Sequence, residues 1–359
     1  MHYHLILSNR CNLKCSYCGG TRDVVPLDPE YPMEALYKFL AQDPDVVVNF
    51  YGGEPMLRPD LVRAVMDNVK GRFVIQTNGL LLPELGDEYI RRMHSILLSL
   101  DGGKEITDAH RGSGVFDKVV SAAQYARKAG FTGDLVARMV ASLDGDIYRD
   151  VMDIHETGVF DHIHWQIDFE LFWDGGGEPE AVRAWLDDVY NPGVSKLTRE
   201  WVNGLERHED FGPVPITVLA SAMVDGREAR LWCGSGLDFW AVTTKGNLTA
   251  CPVCIDRPEF FCGNINDTAP DKVRDAMPVL EPCPSCDIYN ICGGRCLLAN
   301  RSQDNMYPGG FEMMCSSVRY LVAQLRGIMP RLRVLKMRDP WVAARFRYPE
   351  LNNGCEIVP

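Results

Sequence analysis

Three cysteines near the start of the chain have the spacing of metal ligands on one loop. Cys11, Cys15 and Cys18 form the pattern Cys-x3-Cys-x2-Cys directly after Tyr3–Leu7, a short apolar run that predicts a strand. Three thiolates can bind three irons of a four-iron, four-sulfur cluster, which needs four ligands. The fourth iron is then open to a ligand that is not protein, as at sites that activate a substrate or cofactor. A zinc loop or unrelated buried thiols are the alternatives for this motif alone.

The same loop resembles the cluster-binding motif of the radical S-adenosylmethionine (SAM) superfamily. Asn12 after the first cysteine and the aromatic Tyr17 before the third also fit that family. The resemblance implies that the three cysteines hold a [4Fe-4S] cluster and that the amino and carboxylate groups of SAM bind its open iron. It also implies that Tyr17 belongs to the SAM site.

Apolar runs alternate with helical patterns over the first half of the chain. The strand-like runs are Tyr3–Leu7, Val46–Tyr51, Phe73–Thr77, Ser95–Leu100, Leu135–Val140 and His162–Ile167. The helix-like stretches are Met33–Ala41, Asp60–Val69, Glu84–Met93, Phe116–Ala129 and Ile147–Thr157. Six strands with helices between them predict a parallel α/β sheet or a barrel, and the pattern alone does not separate the two. The family resemblance implies a partial (β/α)6 barrel with its active site at the C-terminal ends of the strands.

The second predicted strand runs into the segment Gly52-Gly53-Glu54-Pro55, which resembles the superfamily's GGEP motif. In that family the motif holds the amino group of SAM. Two glycines allow the backbone to approach a ligand closely, and an adjacent carboxylate suits an ammonium group. A tight turn between a strand and a helix is the alternative, because glycines and a proline also favour turns.

Three further strand ends resemble SAM-binding positions of the family. The third predicted strand ends in Thr77 and Asn78, and the fourth ends near Ser99. Arg138 on the fifth strand resembles the arginine that binds the SAM carboxylate. An arginine in an apolar strand needs an anionic partner, although an unrelated glutamate could provide one.

Asp101 is the candidate catalytic residue. It lies in Ser99–Gly102, and this segment, together with the His110-Arg111 pair that follows it, resembles the peptide-modifying branch of the superfamily. Asp101 could equally cap the turn that comes next.

A second group of cysteines follows residue 213, where ten of the 13 cysteines lie. Seven of them, together with Gly246, match the spacing of the SPASM domain of radical SAM enzymes. The matching cysteines are Cys233, Cys251, Cys283, Cys286, Cys292, Cys296 and Cys315. A zinc ribbon that staples a small domain is the alternative for the later part of this group.

The SPASM resemblance implies two auxiliary [4Fe-4S] clusters, and therefore three clusters in the whole chain. By this resemblance the outer cluster is held by Cys283, Cys286, Cys292 and Cys315. The inner cluster is held by Cys233, Cys251 and Cys296, and we favour Cys254 as its fourth ligand because two cysteines spaced as Cys251-Pro-Val-Cys254 can bind one cluster. Cys262 as the fourth ligand, or an iron left open for substrate, are the alternatives. Under the favoured assignment Cys262 and Cys355 remain unused.

The family resemblance also implies a reaction. The reduced cluster cleaves SAM to methionine and a 5′-deoxyadenosyl radical, which abstracts hydrogen from a peptide or protein substrate. A ferredoxin or flavodoxin-type protein is the expected electron donor. Sulfatase maturation is in doubt, since Pro252 stands where the sulfatase-maturating subgroup has an aspartate. The chain also leaves no room before Tyr3 for a leader-binding domain, which favours recognition through the barrel mouth or a separate protein.

Two other functions remain possible at this point. The first is a radical SAM enzyme that acts on a small molecule or a cofactor precursor. The second, from another class, is a non-catalytic iron–sulfur electron-transfer protein or a zinc-stapled binding protein. A test for the cleavage of SAM would distinguish the non-catalytic protein from the two radical SAM enzymes.

Composition limits the partners and the compartment. The chain has 359 residues, and 37 basic against 49 acidic residues give a net charge of -12, which argues against nucleic acid as a partner. No run approaches the roughly 20 apolar residues of a membrane span, and the N-terminus lacks a signal-peptide core. We therefore expect a cytoplasmic protein that uses its cysteines for metal or redox chemistry rather than for disulfides.

The chain is expected to have three parts. Residues 1–212 should form the radical SAM partial barrel, residues 213–320 the cysteine-rich SPASM domain, and residues 321–359 a helical or extended tail. The run Val318–Ile328, which follows Cys315, predicts a helix. In the barrel part, His162 and His164 share one face of a strand. We expect that face to be exposed and polar, with metal binding as the alternative.

Overall fold

The structure, a computed structural model, describes residues 1–18, 25–346, 348 and 358–359. Cys355 lies outside the described residues. The strands of the described chain are β1 His2–Ile6, β2 Val47–Tyr51, β3 Arg72–Thr77, β4 Ser95–Ser99, β5 Asp134–Ala141, β6 His162–Ile167, β7 Phe239–Val242, β8 Asn247–Thr249 and β9 Phe261–Asn264.

These strands form one sheet in the order β6-β5-β4-β3-β2-β1-β7-β8-β9. Strands β1 to β6 each pair in parallel with the next strand along the chain. On the other side of β1, β7 pairs in parallel, and β8 and β9 continue the sheet in antiparallel pairs. The six parallel strands and their crossover helices confirm the α/β fold and the partial (β/α)6 arrangement.

Helices connect the parallel strands and also occur in the C-terminal region. They are α1 Met33–Leu40, α2 Pro59–Asn68, α3 Asp87–Arg92, α4 Lys104–Arg111, α5 Val115–Lys128, α6 Ile147–Glu156, α7 Pro179–Trp185, α8 Asn191–Arg207, α9 Val214–Asp225, α10 Pro270–Val273, α11 Tyr289–Cys292, α12 Leu297–Arg301, α13 Gly310–Arg338 and α14 Pro340–Arg345. In the described part of the chain, none of them combines the length and the apolarity that crossing a membrane requires.

The six predicted barrel strands lie within one residue of their observed ends, whereas the helices differ more. The stretch predicted as one helix over Glu84–Met93 is interrupted at Gly86, whose φ of 91° ends a short 3-10 turn before α3 begins. Helix α4 was not predicted, because its eight residues are largely polar. Helix α13 is much longer than the predicted Val318–Ile328 and continues through Pro330.

The side chains inside the barrel change from apolar to polar along the strands. At the N-terminal end, four inward positions form a separate apolar cluster: Val47, Val74, Leu97 and Val136. Side chains two residues further on face the same interior because they alternate across a strand. Those next positions are polar, and they are Asn49, Gln76, Ser99 and Arg138. The barrel is therefore closed by an apolar layer and presents a polar layer toward its C-terminal end.

The expectation of an exposed histidine face on β6 is wrong. His164 has no exposed surface, and its Nε2 lies 3.2 Å from the Nε2 of Gln166. His162 is half-buried, with its Nδ1 2.7 Å from Oδ1 of Asp134. This face of β6 points into the barrel, so its polar residues are part of the interior layer rather than of the surface.

The sheet continues across the boundary that was predicted after residue 212. Strand β7, from the cysteine-rich region, pairs with β1 at the centre of the sheet over His2 to Leu5. The C-terminal region is therefore joined to the barrel by backbone hydrogen bonds at the strand that leads into the cysteine loop. The division into three parts stays a prediction.

Candidate active site and iron–sulfur centres

A cavity of about 330 Å³ opens at the C-terminal ends of the barrel strands. One part of its wall is the loop after β1, and the opposite part comes from the C-terminal region. The cysteines that line it are Cys11, Cys15, Cys18, Cys233, Cys251 and Cys296. The fold thus brings two cysteine groups to one cavity although more than two hundred residues separate them in the chain.

Gly52 and Gly53 allow two backbones to pack against each other. A Cβ atom on Gly52 would lie 2.3 Å from the carbonyl oxygen of Ser8, and one on Gly53 would lie 2.3 Å from that of Arg10. The backbone N–H of Gly53 donates to Ser8 at 3.0 Å, and that of Glu54 donates to Arg10 at 2.7 Å. Both glycines also line the cavity. The backbone at Gly52 and Gly53 thus lies close to Ser8 and Arg10, which lead into the cysteine loop.

Glu54 connects the ends of β2 and β3 in the cavity wall. Its Oε1 accepts hydrogen bonds from Thr77 Oγ1 at 2.6 Å and from Met56 N at 2.9 Å, and its Oε2 accepts from Asn78 N at 2.8 Å. Burial raises the pKa of Glu54, and these three donors act in the opposite direction. Pro55 begins the 3-10 turn behind this carboxylate and is buried.

Asn78 also holds the cysteine loop from the side of β3. Its Nδ2 donates to Oδ1 of Asn12 at 2.7 Å. Within the loop, the backbone N–H of Leu13 donates to Sγ of Cys11 at 3.4 Å. Burial raises the pKa of the Cys11 thiol, the Leu13 N–H lowers it, and the charge of Glu54 raises it further.

Ser99 and Arg138 are cross-strand neighbours on β4 and β5, and both line the cavity. Nη1 of Arg138 donates to the carbonyl oxygen of Met139 at 3.0 Å, whereas its buried Nε has no hydrogen-bond partner among the described residues. A guanidinium in a cavity wall that has an N–H donor without a hydrogen-bond partner can bind a carboxylate or another planar anion.

Asp101 is engaged on both carboxylate oxygens. Oδ2 accepts from Tyr17 OH at 2.7 Å and from Arg111 Nε at 2.7 Å, while Oδ1 accepts from Arg111 Nη2 at 2.8 Å and from Val140 N at 3.2 Å. Burial lowers the pKa of Arg111, but the charge and hydrogen bonds of Asp101, together with Tyr17 and Cys15, raise this pKa above its usual range. Tyr17 and Arg111 line the cavity, with the 1% exposed Asp101 behind them. This geometry favours a positioning role for Asp101 over the predicted catalytic one.

Three of the four cysteines predicted for the inner cluster reach the cavity: Cys233, Cys251 and Cys296. Cys254 has no exposed surface, and its backbone N–H donates to the Cys251 carbonyl oxygen at 2.9 Å. Cys262 lies on β9 and is half-buried. The fourth ligand of this group, Cys254 in our assignment, remains a proposal.

The four cysteines predicted for the outer cluster lie close enough to influence one another: Cys283, Cys286, Cys292 and Cys315. Burial raises the pKa of Cys315 to about 12, and the charges of the other three raise it as well. Burial likewise raises the pKa of Cys283 to about 11. Asn300 Nδ2 lies 3.3 Å from Sγ of Cys283, and Arg319 Nη2 lies 3.1 Å from Sγ of Cys286. These donors suit thiolates that carry a negative cluster.

Residues 5–157, which include the cysteine loop and the strands from β1 to β5, match the family model of the radical SAM superfamily. The chain is also similar to the mycofactocin maturase MftC of Mycobacterium tuberculosis, at 28% identity over 331 residues that cover 82% of this chain and 77% of that protein. Residues 5–157 therefore form a radical SAM domain. The family uses a [4Fe-4S] cluster and SAM.

Two other similarities extend over most of this radical SAM chain. The AdoMet-dependent heme synthase of Oleidesulfovibrio alaskensis is 22% identical over 329 residues, which cover 80% of each protein. The solved structure of anSMEcpe with bound AdoMet matches with a TM-score of 0.73 at 19% identity, covering 96% of this chain and 98% of that one. The same protein with bound AdoMet and the Cp18Cys peptide matches with a TM-score of 0.69. The structural likeness shows the shared fold.

The described residues fit the cofactors of a radical SAM enzyme. Three thiols on one loop face the cavity, as an open cluster site requires. Beside them lie the buried carboxylate of Glu54 and the guanidinium of Arg138, which suit the amino and carboxylate groups of an amino acid such as SAM. The individual ligand assignments remain proposals.

Asp168 and Arg111 line the cavity of this radical SAM enzyme but were not predicted as site residues. Asp168 directly follows β6, and burial raises its pKa to about 6. Its position at a strand end, where barrel enzymes place their site residues, could have identified it from the sequence. Arg111 entered the sequence analysis only through the family resemblance. Its ion pair with Asp101 joins a strand end to a helix end, and no pattern of residue spacing in the sequence predicts such a pair.

Proposed function

We propose that this chain is a radical SAM enzyme that modifies a peptide or protein, with two auxiliary clusters beside the SAM cluster. The observation that carries the proposal is the shared cavity. The cysteine loop, whose three thiols would leave one iron open, lines the same cavity of about 330 Å³ as three cysteines of the second cluster group. A substrate in that cavity is placed between a site of hydrogen abstraction and a site of electron transfer.

The loop side of the cavity is assigned to SAM. Cys11, Cys15 and Cys18 hold the cluster, while Glu54 orients the amino group and Arg138 binds the carboxylate. When bound, the reduced cluster and SAM supply a 5′-deoxyadenosyl radical that abstracts a hydrogen atom. The apolar layer beneath the polar residues of the cavity wall closes the barrel, which limits the access of water from that end.

The C-terminal side is assigned to the auxiliary clusters. Cys233, Cys251 and Cys296, which line the cavity, would hold the inner cluster, and this cluster would supply an electron acceptor next to the substrate. The outer cluster lies nearer the surface, because Cys286 is half-buried and the Arg319 beside it has a side chain that is 47% exposed. A ferredoxin or flavodoxin-type donor is the proposed partner, and a separate recognition protein is a further proposal.

Two similarities favour a peptide over a small molecule. A match over 331 residues is to a maturase, and anSMEcpe, which shares the fold, has been solved with a bound peptide. The match to a heme synthase favours a cofactor precursor as the second candidate, at a lower identity of 22% against 28%.

The first test measures 5′-deoxyadenosine by mass spectrometry after anaerobic cluster reconstitution, reduction and addition of SAM. We expect product from the wild type and none above background from Cys11→Ala. Cys262→Ala, which removes a thiol that we assign to no cluster, is the matched control and should retain activity. A Cys11→Ala protein that forms product as the wild type does would contradict the assignment of the loop.

The second test separates the substrate classes. Short peptides encoded next to this gene, and a porphyrin as the alternative, are each added to the reduced enzyme with SAM. The proposal expects a peptide to stimulate 5′-deoxyadenosine formation above the substrate-free rate and to change in mass. Stimulation by the porphyrin alone, with a change in the porphyrin's mass, would favour the cofactor-precursor reaction instead.

A further inference from the structure

The cysteine loop has little hydrophobic anchorage: among residues 10–18, Leu13 is the one side chain that packs against the hydrophobic core, and it is only partly buried. None of the residues from 10 to 18 is buried, although the strand before them is. A loop of this kind is held by its hydrogen bonds, since core packing does not fix it. The position of the three thiols relative to the cavity therefore depends on the groups that bond to the loop from outside.

One side of the loop is held by the ends of β2 and β3. The Glu54 N–H donates to the carbonyl oxygen of Arg10, and the Asn78 side chain donates to Asn12. These contacts act on the part of the loop around the first cysteine.

The other side is held by the end of β4 and by α4. Tyr17 OH donates to Asp101 at 2.7 Å, and the backbone N–H of Ser16 donates to the carbonyl oxygen of His110 at 3.0 Å. The Ser16 hydroxyl also lies 2.5 Å from Nδ1 of His110. Ser16 and Tyr17 are the two residues between the second and third cysteines, so both residues of that interval are fixed from the same direction.

Asp101 is itself rigidly placed. The bidentate pair with Arg111 has side-chain exposures of 8% and 0%, and the guanidinium carbon of Arg111 lies 5.6 Å from the centre of the Tyr17 ring. Val140 N on β5 supplies a further donor to the carboxylate. A buried, bidentate ion pair with its remaining lone pairs satisfied has little freedom to move.

We infer that Asp101, Arg111, Tyr17 and the Ser16–His110 contact form a clamp that sets the position of the cysteine loop and thereby of the SAM cluster. The inference rests on the proposed assignment of the three loop cysteines as cluster ligands. It makes Asp101 a positioning residue that acts through Tyr17. Because the clamp joins the loop to β4, β5 and α4, it holds the cluster in register with the strand ends that bind SAM.

The clamp and a catalytic Asp101 predict different defects. A catalytic base is needed only after hydrogen is taken from the substrate, so its loss leaves SAM cleavage without substrate unchanged. A clamp acts on the cluster itself. Its loss changes the cluster's spectrum and SAM cleavage even when no substrate is present.

Tyr17→Phe is the test variant, because it removes one hydroxyl and leaves the buried ion pair intact. The chain offers a matched control in Tyr89→Phe. Tyr89 OH donates to Asp67 at 2.7 Å, Arg92 pairs with Asp67 at 2.7 Å, and the Arg92 guanidinium lies 5.0 Å from the Tyr89 ring. The control thus removes the same bond from the same three residue types on the outer helices, away from the cavity.

Both variants and the wild type are reconstituted, and three quantities are measured: iron content, the change that SAM produces in the electron paramagnetic resonance spectrum of the reduced enzyme, and 5′-deoxyadenosine formation without substrate. We expect Tyr17→Phe to alter the SAM-dependent spectral change and to slow cleavage about tenfold or more, in line with the cost of misplacing a reacting group. Tyr89→Phe should match the wild type in all three. Arg111→Lys, which keeps the charge but not the bidentate geometry, should also alter the spectral change.

A Tyr17→Phe enzyme with the spectrum and cleavage rate of Tyr89→Phe would overturn the clamp. So would an Asp101→Asn enzyme that binds iron and cleaves SAM at the wild-type rate. A failure of the proposed function looks different: Cys11→Ala would then keep the SAM-dependent spectral change, whatever Tyr17→Phe does.

Discussion

The cysteine loop and the outer cysteine group offer similar donors in opposite settings. Cys11 and Cys18 are exposed and lie on the cavity wall, on a stretch in which no side chain is buried. In the outer group Cys283 is buried, and Cys315 lies on the 29-residue helix α13. The loop offers three thiols, whereas the outer group offers four that lie within electrostatic reach of one another.

Under the proposed assignments, this difference separates a site for chemistry from a site for the storage or relay of electrons. A three-thiol site leaves one metal position open, and an exposed loop lets a ligand reach it. A four-thiol group has no metal position left to offer, and none of its cysteines is as exposed as Cys11 and Cys18. The loop consequently needs support from other elements, which Gly52, Gly53, Asn78 and the proposed clamp provide.

The largest difference between the two groups is expected when one thiol is removed from each. Cys11→Ala should abolish SAM cleavage and the SAM-dependent spectral change, because two thiols do not hold a site-differentiated cluster. Cys315→Ala should lower the iron content by about four per chain but retain the spectral change. Iron analysis and paramagnetic resonance of the reduced proteins measure both. Equal loss of the spectral change in the two variants would mean that the groups are not independent.

The support of the loop can be tested at Gly53. Its Cβ in Gly53→Ala would lie 2.3 Å from the Arg10 carbonyl oxygen and 2.7 Å from that of Asn9, so the loop backbone must move. We expect SAM cleavage to fall by about a hundredfold or more. The matched control is Gly327→Ala on α13, where a Cβ meets nothing within 4 Å and should stabilise the helix by roughly 0.5–1 kcal/mol. An unimpaired Gly53→Ala enzyme would show that the close approach is not needed.

The open side of the loop can be probed at Arg138. Arg138→Lys keeps a positive charge in the cavity wall but loses the planar pair of donors that suits a carboxylate. We expect the Kd for SAM to rise about tenfold, since one charge-assisted hydrogen bond contributes about 1.4 kcal/mol. Equilibrium binding of SAM to the reconstituted enzyme measures this. Arg199→Lys on the exposed face of α8 is the control, and a change of equal size there would remove the assignment of Arg138.

The smallest expected effect concerns Asp168, which lines the cavity between the two cysteine groups. Burial raises its pKa to about 6, the Glu170 N–H lowers it, and the Glu170 and His110 charges act in opposite directions. A carboxyl with a raised pKa in the folded state binds its proton more tightly there than when unfolded. Its contribution is therefore favourable below its unfolded pKa and is lost as the pH rises through about 6.

Asp168→Asn removes this ionisation and keeps an oxygen that can accept from Glu170 N. We expect the variant to gain thermal stability relative to the wild type, and to gain more at about pH 8 than at about pH 5. Thermal unfolding of the reconstituted proteins at the two pH values measures the difference. Asp174→Asn, at an exposed carboxylate nearby, should show no such dependence. A gain that is equal at both pH values would contradict the raised pKa.

Much of the barrel could be predicted because its signals are local. Each of the first six strands is a short apolar run that ends within one residue of its predicted position, since strands covered on both faces exclude polar runs. The cysteine spacings were likewise visible in the chain. Local patterns also led to the wrong prediction for β6, because they do not show what packs around a strand. The polar residues of β6 predicted an exposed face, but His164 lies in a barrel interior whose upper layer is polar.

The sequence by itself determined the family, the strand order along the chain and the two cysteine groups, because each depends on residues close to one another in the chain. Only the tertiary structure decided that Cys233, Cys251 and Cys296 face the loop cysteines, since that depends on β7 pairing with β1. It also decided the contacts of Asp101. A carboxylate before a glycine predicts a cap or a base equally well, and the choice depends on Tyr17 and Arg111, which the fold brings to it from 84 and 10 residues away.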